Sequence, residues 1–399
     1  MGRTAVEGAI DTLPATAERY TAMPSAVYGN LEYCIAQPQH DGALRRLMRD
    51  NPIPGWVTLS YEREPDYFYA TTIEGEKHDT MIGIDRDTNR IIGLSTRSVQ
   101  QRFINGEPRD VGYFGQLRLD PRYRNQIRPL KYGFRFCRNH VHSDGITPYY
   151  LTSIISGNTR ARQLLTANLP GFPTYREIGT FNTLAIPCKA YKQTLNSNGL
   201  SVRRANHEDA GAIVRCLNRN NQRYQFASVW TPQDLQSPTR CRGLSIGDFL
   251  IARRGDKVVG CLACWDQSTY KQTVVRGYSK FTRHTRPVIN LLSRALGYPS
   301  LPAPGREVQQ LYVSHLAIDQ DDPQVCVDLV KALMDQTSRR GHQLLLLGLS
   351  HDNPMLPLVR KTFRHLTYRS QLYVVYWDDG KNAANSLDGR VVHTDIAFL

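Results

Sequence analysis

Seven basic side chains and one acidic one fall between Arg118 and Arg138, on a stretch that opens "LRLDPRYRNQIRPL". Its apolar start predicts a strand ending at Asp120-Pro121, then a turn, then a basic helix. A turn that enters a helix presents unpaired N–H groups and the positive end of the helix dipole, so it attracts phosphate. Arginine adds bidentate, charge-assisted hydrogen bonds to the same ligand. Arg122, Arg124 and Arg128 surround this turn, and Lys131, Arg135 and Arg138 follow at roughly helical spacing. The chemistry this pattern suits is the holding of a phosphorylated ligand.

A second group lies in "GWVTLSYEREPDYF", Gly55–Phe68, where Glu62, Arg63, Glu64 and Asp66 are mixed with Tyr61, Tyr67 and Phe68. Charged groups beside aromatics suit a small polar acceptor with an apolar part. Tyr113 and Gln116 precede the basic turn, and His315 stands at the matching point of a later stretch, where an imidazole has a base's pKa. No nucleophile elbow, H-E-x-x-H, P-loop or G-x-G-x-x-G is present. Cys261 and Cys264 form a C-x-x-C inside the strand-like "KVVGCLACWDQ", with no second pair at zinc spacing, so no metal is expected.

The elements that must position these residues recur. "CIAQPQHDGALRRLM" parallels "SVRRANHEDAGAIVRCL", "RIIGLSTRSV" parallels "KVVGCLACWD", "FGQLRLDPRY" parallels "VSHLAIDQDD", and "PYYLTSIISGNTRARQLL" parallels "HQLLLLGLSHDNPMLPLV". Each copy reads as strand, helix, an antiparallel meander leaving charged hairpin turns, then helix, strand, helix and a closing strand. The expected fold class is α/β with mixed sheets, two domains in tandem, each with a central parallel β-α-β crossover. The reading divides the chain into an extension (1–30), a first copy (31–187), a linker (188–200) and a second copy (201–378) with a basic insertion (266–306). A tail (379–399) reads as one more strand. In the insertion, "PVINLLSRALGYP" reads as an amphipathic helix that starts at its proline.

Composition bounds the partners. The chain has 399 residues, 41% hydrophobic, enough for two cores. Its net charge is +14, and residues 101–300 alone hold 30 basic and 11 acidic groups. A polyanion or a phosphorylated ligand fits that sign. Nucleic acid is not expected, because no reading motif accompanies the basic stretches. The longest aliphatic run, "LLLLGL", is far short of a bilayer span, but the basic stretch 271–298 allows peripheral contact with an anionic membrane. The eight scattered cysteines and the lack of a leader pattern at the N-terminus predict a cytoplasmic protein.

With these motifs at this separation and the meander upstream, the chain resembles the GCN5-related N-acetyltransferase superfamily, twice over, across about residues 31–187 and 200–377. "LRLDPRYRNQ" is similar to the family's strand, turn and helix for the acyl-CoA pyrophosphate. In "SGNTRARQLLTANLPGF", Asn158, Ala161, Leu164, Gly171 and Phe172 match its Asn-x-x-Ala…Leu…Gly-Phe pattern. The resemblance implies an N-acyltransferase that moves an acyl group from acetyl-CoA or another acyl-CoA to the amine of a small molecule or peptide. It places the cofactor on Leu117, Leu119, Arg122, Arg124, Asn125, Gln126, Arg128 and Asn158. Catalysis would fall to Tyr113, Gln116 and Glu62, and acceptor binding to Glu64, Tyr67 and His315.

Departures from the pattern keep other readings open. The turn's glycine positions hold Asn125 and Ile127, Asn125 being a stand-in because asparagine tolerates positive φ. Pro129 removes a donor, and Leu165 stands where the family's acidic tyrosine stands. The second copy's "AIDQDDPQVCVDL" has three acids in the same turn and no arginine, so it is not expected to bind CoA. A binding or sensing protein without CoA chemistry, or one associated with lipid or a long acyl chain, is the alternative.

Overall fold

A computed structural model describes residues 24–188, 199–296, 298–338 and 344–399, and the statements below concern these. Most of the extension and nearly all of the linker lie outside them. Fifteen strands follow the chain: β1 (Ser25–Tyr28), β2 (Leu31–Ile35), β3 (Val57–Glu62), β4 (Lys77–Asp85), β5 (Arg90–Ile104), β6 (Glu107–Leu119), β7 (Tyr150–Ile155), β8 (Thr174–Pro187), β9 (Leu200–Arg204), β10 (Phe249–Arg254), β11 (Lys257–Trp265), β12 (Gln272–Tyr278), β13 (Gln310–Ile318), β14 (Leu344–Ser350) and β15 (Leu366–Tyr376). Thirteen form one sheet in the order β1-β2-β4-β5-β6-β7-β15-β8-β14-β13-β11-β10-β9.

The repeat is visible in this order. β2-β4-β5-β6 and β9-β10-β11-β13 are matched antiparallel meanders. Each passes through a helix, Arg128–His140 or Pro323–Ser338, into a parallel strand, β7 or β14. These are the expected crossovers, and a right-twisted sheet brings such a strand back alongside the first.

The closing strands are exchanged. β8 ends the first copy in sequence but pairs with β14 of the second, from Leu344–Pro187 to Ser350–Phe181. β15 ends the second copy but pairs with β7, from Ser370–Ile155 to Val375–Tyr150. β8 and β15 also pair with each other in the middle of the sheet, from Leu366–Ala185 to Tyr376–Thr174. The sequence has two copies, yet the sheet is continuous across them. Gly348 sits at this seam, where a Cβ would overlap the Phe181 ring.

Within Gly55–Phe68, Val57–Glu62 is β3, paired with β12 of the insertion from Gln272–Glu62 to Tyr278–Val57. The two segments thus satisfy each other's backbone. Two local expectations change. The insertion's helix runs Lys280–Ala295, with Pro287 inside it rather than at its start. The tail is not a strand. It forms a short helix, Lys381–Asn385, and a single bridge from Val392 to Gln225, then buries Ala397 and Phe398 against the second copy. Its "VVHTD" alternates, but Gln225 offers one residue of extended partner rather than a strand.

Candidate active site

β6 and β7 pair only at Gly112–Tyr150 and Tyr113–Leu151, and then part. The cause lies in β6. Gln116 has φ +53°, and the register against β5 slips between Leu94 and Thr96. Such a bulge bends its strand away from the neighbour. The Asp120 N–H donates to the Ile92 carbonyl at 2.7 Å. Strand alternation therefore aims the Leu119 N–H at the opposite edge, into the gap.

Two cavities meet at this gap, sharing Phe114, Leu117, Arg118, Asn158, Leu165 and Tyr175 as walls. The larger, about 510 Å³, runs under β4 and β5 against the helix Arg128–His140. Tyr33, Met81, Ile92, Leu94 and Phe134 give it an apolar floor, and Arg124, Asn158 and Arg160 a polar mouth. The smaller, about 250 Å³, lies between the copies. Tyr61, Glu62, Tyr113 and Gln116 of the first copy face Lys271, Gln310 and Tyr312 of the second.

At the mouth of the larger cavity, Asp120 caps the turn by accepting from the Arg122 N–H at 2.9 Å. Asp120 also takes the Arg122 side chain at 2.8 Å, so Arg122 is committed within its own turn. Arg124 is held by Asn51 at 2.7 Å and borders the cavity. Asn125 does not adopt positive φ. Its side-chain oxygen instead accepts from Arg160, which also bonds the Arg124 carbonyl at 2.9 Å. No left-handed residue is needed because the turn closes as a 3-10 turn, Pro121–Tyr123, running on toward the helix. Gln126, Ile127 and Arg128 are exposed at the helix start. Asn158 caps the next helix, accepting from the Ala161 N–H at 3.3 Å.

In the smaller cavity the Tyr113 hydroxyl lies 2.9 Å from the Ser153 hydroxyl. Burial pushes the Tyr113 phenol up, so it stays protonated. Gln116 is turned inward by its left-handed backbone, and its Oε1 is buried with no hydrogen-bond partner. Glu62 is 6% exposed and held by Ser60, Arg276 and, at 3.8 Å, Arg49. Arg118 was hidden by its place between two leucines. It borders both cavities, its Nε is buried without a partner, and burial pushes its pKa down. Lys271 bonds the Ala397 carbonyl at 2.9 Å, and burial pushes its ammonium down to about 8.

Three expected acceptor residues stand elsewhere. Glu64 pairs with Arg45 and, at 2.8 Å, with Arg49 on the first helix. Tyr67 is fully buried with Leu44, Leu47 and Met48, beneath the Arg63 guanidinium. His315 is packed against Trp230, Phe249 and Trp265. Its Nδ1 lies 2.9 Å from Ser314 Oγ, and burial pushes the ring down to about 3. The charge and aromatic content of Gly55–Phe68 was legible, but alternation along β3 and the turn after it sends Glu64 and Tyr67 away from the cavity. The sequence signal for Lys271, Gln310 and Tyr312 was absent, because they arrive from the other copy.

No family model matches the chain, and no curated protein matches it by sequence. Solved structures do. Saccharomyces cerevisiae N-myristoyltransferase with bound myristoyl-CoA superposes with a TM-score of 0.57 at 12% identity, over 94% of this chain and 89% of that one. A GCN5-related N-acetyltransferase from Sphaerobacter thermophilus gives 0.52 at 12% identity, over 88% and 96%. The chain has the tandem GCN5-related N-acetyltransferase fold. A GCN5-related glucosamine N-acetyltransferase region of a fungal multi-domain β-N-acetylglucosaminidase gives 0.55 at 10% identity, over 89% of this chain and 38% of that one. At these identities the likeness is one of fold, and in this fold the open gap belongs to the first copy.

Proposed function

We propose that the protein is an acyl-CoA-dependent N-acyltransferase, with the donor on the first copy and an amine acceptor in the cavity between the copies. The observation that carries this reading is the parting of β6 from β7 where two cavities meet. The surroundings fit the donor. Arg124, Arg160 and the first turn of the helix at Arg128 offer phosphate contacts, with Pro129 removing one backbone donor, so side chains share the work with the backbone. Arg122 contributes less, since Asp120 holds it. The apolar floor suits an acyl chain longer than acetyl.

Bound there, acyl-CoA would supply a thioester carbonyl and a thiol leaving group. The Leu119 N–H, directed into the gap, would polarise the carbonyl oxygen. Arg118 and Lys271 make the acceptor cavity positive, which favours an amine arriving uncharged. The protonated Tyr113 hydroxyl, oriented by Ser153, is placed to donate a proton to the departing thiolate, the role that Leu165 cannot fill, and the proton lost by the amine nitrogen as the amide forms would restore the phenol. Gln116 directs its unpartnered oxygen toward the acceptor amine. Glu62, held by arginines, shapes the cavity wall rather than exchanging protons.

The test is a thermal-shift series with CoA and acyl-CoAs of increasing chain length, followed by thiol release with an amine panel. At one hundred times the dissociation constant a ligand adds ~2.7 kcal/mol. A shift that grows with chain length and thiol release that requires an amine support the reading. No shift with any acyl-CoA overturns it.

A further inference from the structure

The helix Lys280–Ala295 is turned inside out. Its apolar residues Phe281, Val288 and Leu291 are 77%, 60% and 70% exposed, and Leu292 is exposed beside them. Phe281, Val288 and Leu292 stand seven and four residues apart, so they share one face. Its polar residues point inward. Thr282 is buried, Arg286 donates to the Leu301 carbonyl at 3.1 Å, and Asn290 bonds both the Leu301 N–H at 2.7 Å and its carbonyl at 3.1 Å. The Tyr278 hydroxyl ties the same segment through the Pro302 carbonyl at 2.6 Å. These bonds fix the rotation of the helix, and with it the outward direction of the apolar face.

The helix that carries this face is basic. Lys280 flanks the face, Arg283 is exposed on the other side of the same first turn, and no acidic residue occurs between Lys271 and Arg294. Trp56, 55% exposed, lies at the start of the helix, where its carbonyl accepts from the Ser279 N–H at 3.0 Å. An exposed tryptophan and phenylalanine beside lysine and arginine match the level of lipid headgroups, with rings in the interface and cations at the phosphates. No helix among the described residues is long and apolar enough to cross a membrane.

We propose that this helix, with Trp56, docks on the surface of an anionic lipid bilayer, lying in the interface plane. The charge selects the partner, because a stretch of one sign beside an exposed apolar face complements an anionic bilayer. Docking would also orient the catalytic cleft. β3 carries Tyr61 and Glu62 into the acceptor cavity near one end, and the turn before its other end carries Trp56 to the patch. An amphiphilic acceptor or acyl donor held in the bilayer would then lie close to the cleft. The docking itself does not depend on the acyltransferase reading.

The experiment is sedimentation of the full chain with phosphatidylcholine vesicles, with and without phosphatidylserine, at low and high salt. Binding is expected with phosphatidylserine and weakened by salt. The variant Phe281→Ser/Leu291→Ser/Leu292→Ser should bind roughly tenfold or more weakly, since apolar burial drives interfacial docking. Its melting temperature should be unchanged, because these side chains are exposed. Lys280→Glu/Arg283→Glu should abolish the preference for phosphatidylserine. Equal sedimentation of the native chain and the triple variant overturns the proposal, as does no sedimentation with either vesicle. So does size-exclusion chromatography in which the triple variant alone converts a dimer to a monomer without any vesicle binding, which would make the face a contact between copies of the chain.

Discussion

Gln116 and His315 occupy matched positions, have φ of +53° and +52°, and sit at matched register slips in β6 and β13. One bulge borders an open cavity and the other does not. The β6–β7 ladder ends at Tyr113 and the β13–β14 ladder at Val313, so both strand pairs part ahead of their bulge, and the difference is what fills the gap. The Gln116 side chain reaches a cavity, while the His315 ring is enclosed by Trp230, Phe249, Trp265 and Phe398. The turns that follow differ in the same sense. The first presents arginines outward. The second turns its acids on itself: Asp319 accepts from Arg219, Asn220 and Lys257, Asp321 from Arg223 and Tyr224, and Asp322 from Arg254. In the second copy carboxylates occupy the matching turn, and a histidine and the tail fill the space beside the bulge. One backbone device therefore borders a cavity in one place and a packed core in the other, and the side chains decide which.

The strongest test of this contrast is to fill the open side as the closed side is filled. Ala161, on the shared wall of both cavities, replaced by Phe should reduce acyl-CoA affinity more than 100-fold, worth ~2.8 kcal/mol or more. Stability should change by less than about 1.5 kcal/mol, as the ring enters existing space. Thermal shift with and without ligand reads both. If acyl-CoA still binds, the cavity is not the donor site.

The next effect is on stability and belongs to the closed side. The folded pKa of His315, about 3, lies below its unfolded value near 6.5. Its contribution is therefore full above about pH 6.5 and is lost as pH falls toward 3. His393, pushed down to about 4 by burial, acts with the same sign. Asp395, which accepts from the His315 N–H at 2.7 Å and is pushed up to about 6 by burial, acts oppositely, losing its contribution as pH rises through 6. Arg240 and Cys241 also face the ring. Below pH 6 the balance is about one extra proton on the unfolded chain. Stability should therefore drop by ~1.4 kcal/mol per pH unit between pH 6 and 5. His315→Phe should flatten that slope while leaving acyl-CoA binding unchanged. Denaturant midpoints across the range measure it.

Smaller effects should separate the two turns. Asp319→Ala should cost ~2 kcal/mol of stability, because it strands three donors, and should leave ligand binding alone. Arg124→Ala should weaken acyl-CoA binding about tenfold, in a salt-dependent way, with little change in stability. Arg122→Ala should weaken it about threefold at most, since Asp120 already occupies that side chain. Titration calorimetry at two ionic strengths ranks the pair. Equal losses would put both arginines on the ligand.

Much of this was legible in the residues. The charge-rich turn after an apolar strand, the hairpin signals before Arg90 and Lys257, and the acid-for-arginine change between matched turns are local patterns with local causes. The misreadings share one origin. Glu64, Tyr67 and His315 have the right types at suggestive places, but whether a side chain lines a cavity or a core depends on what packs above it. Glu64 meets Arg45 and Arg49, and Tyr67 meets Leu44 and Leu47, on a helix that no spacing rule assigns to them. Arg118 and Lys271 were counted only as charge, because their importance is their burial beside the cavity between the copies, and a linear string does not show burial.

The residues alone determined that there are two copies, which one carries the basic turn, and that the turn glycines are gone. Those follow from period, sign and side-chain size, which are local. The tertiary structure alone decided that β8 and β15 trade places, that β3 and β12 join two irregular segments, and that the smaller cavity draws on both copies. Strand pairing is a competition between distant segments of similar apolar pattern, and its outcome is set by which exchange leaves the fewest backbone groups and apolar faces unsatisfied.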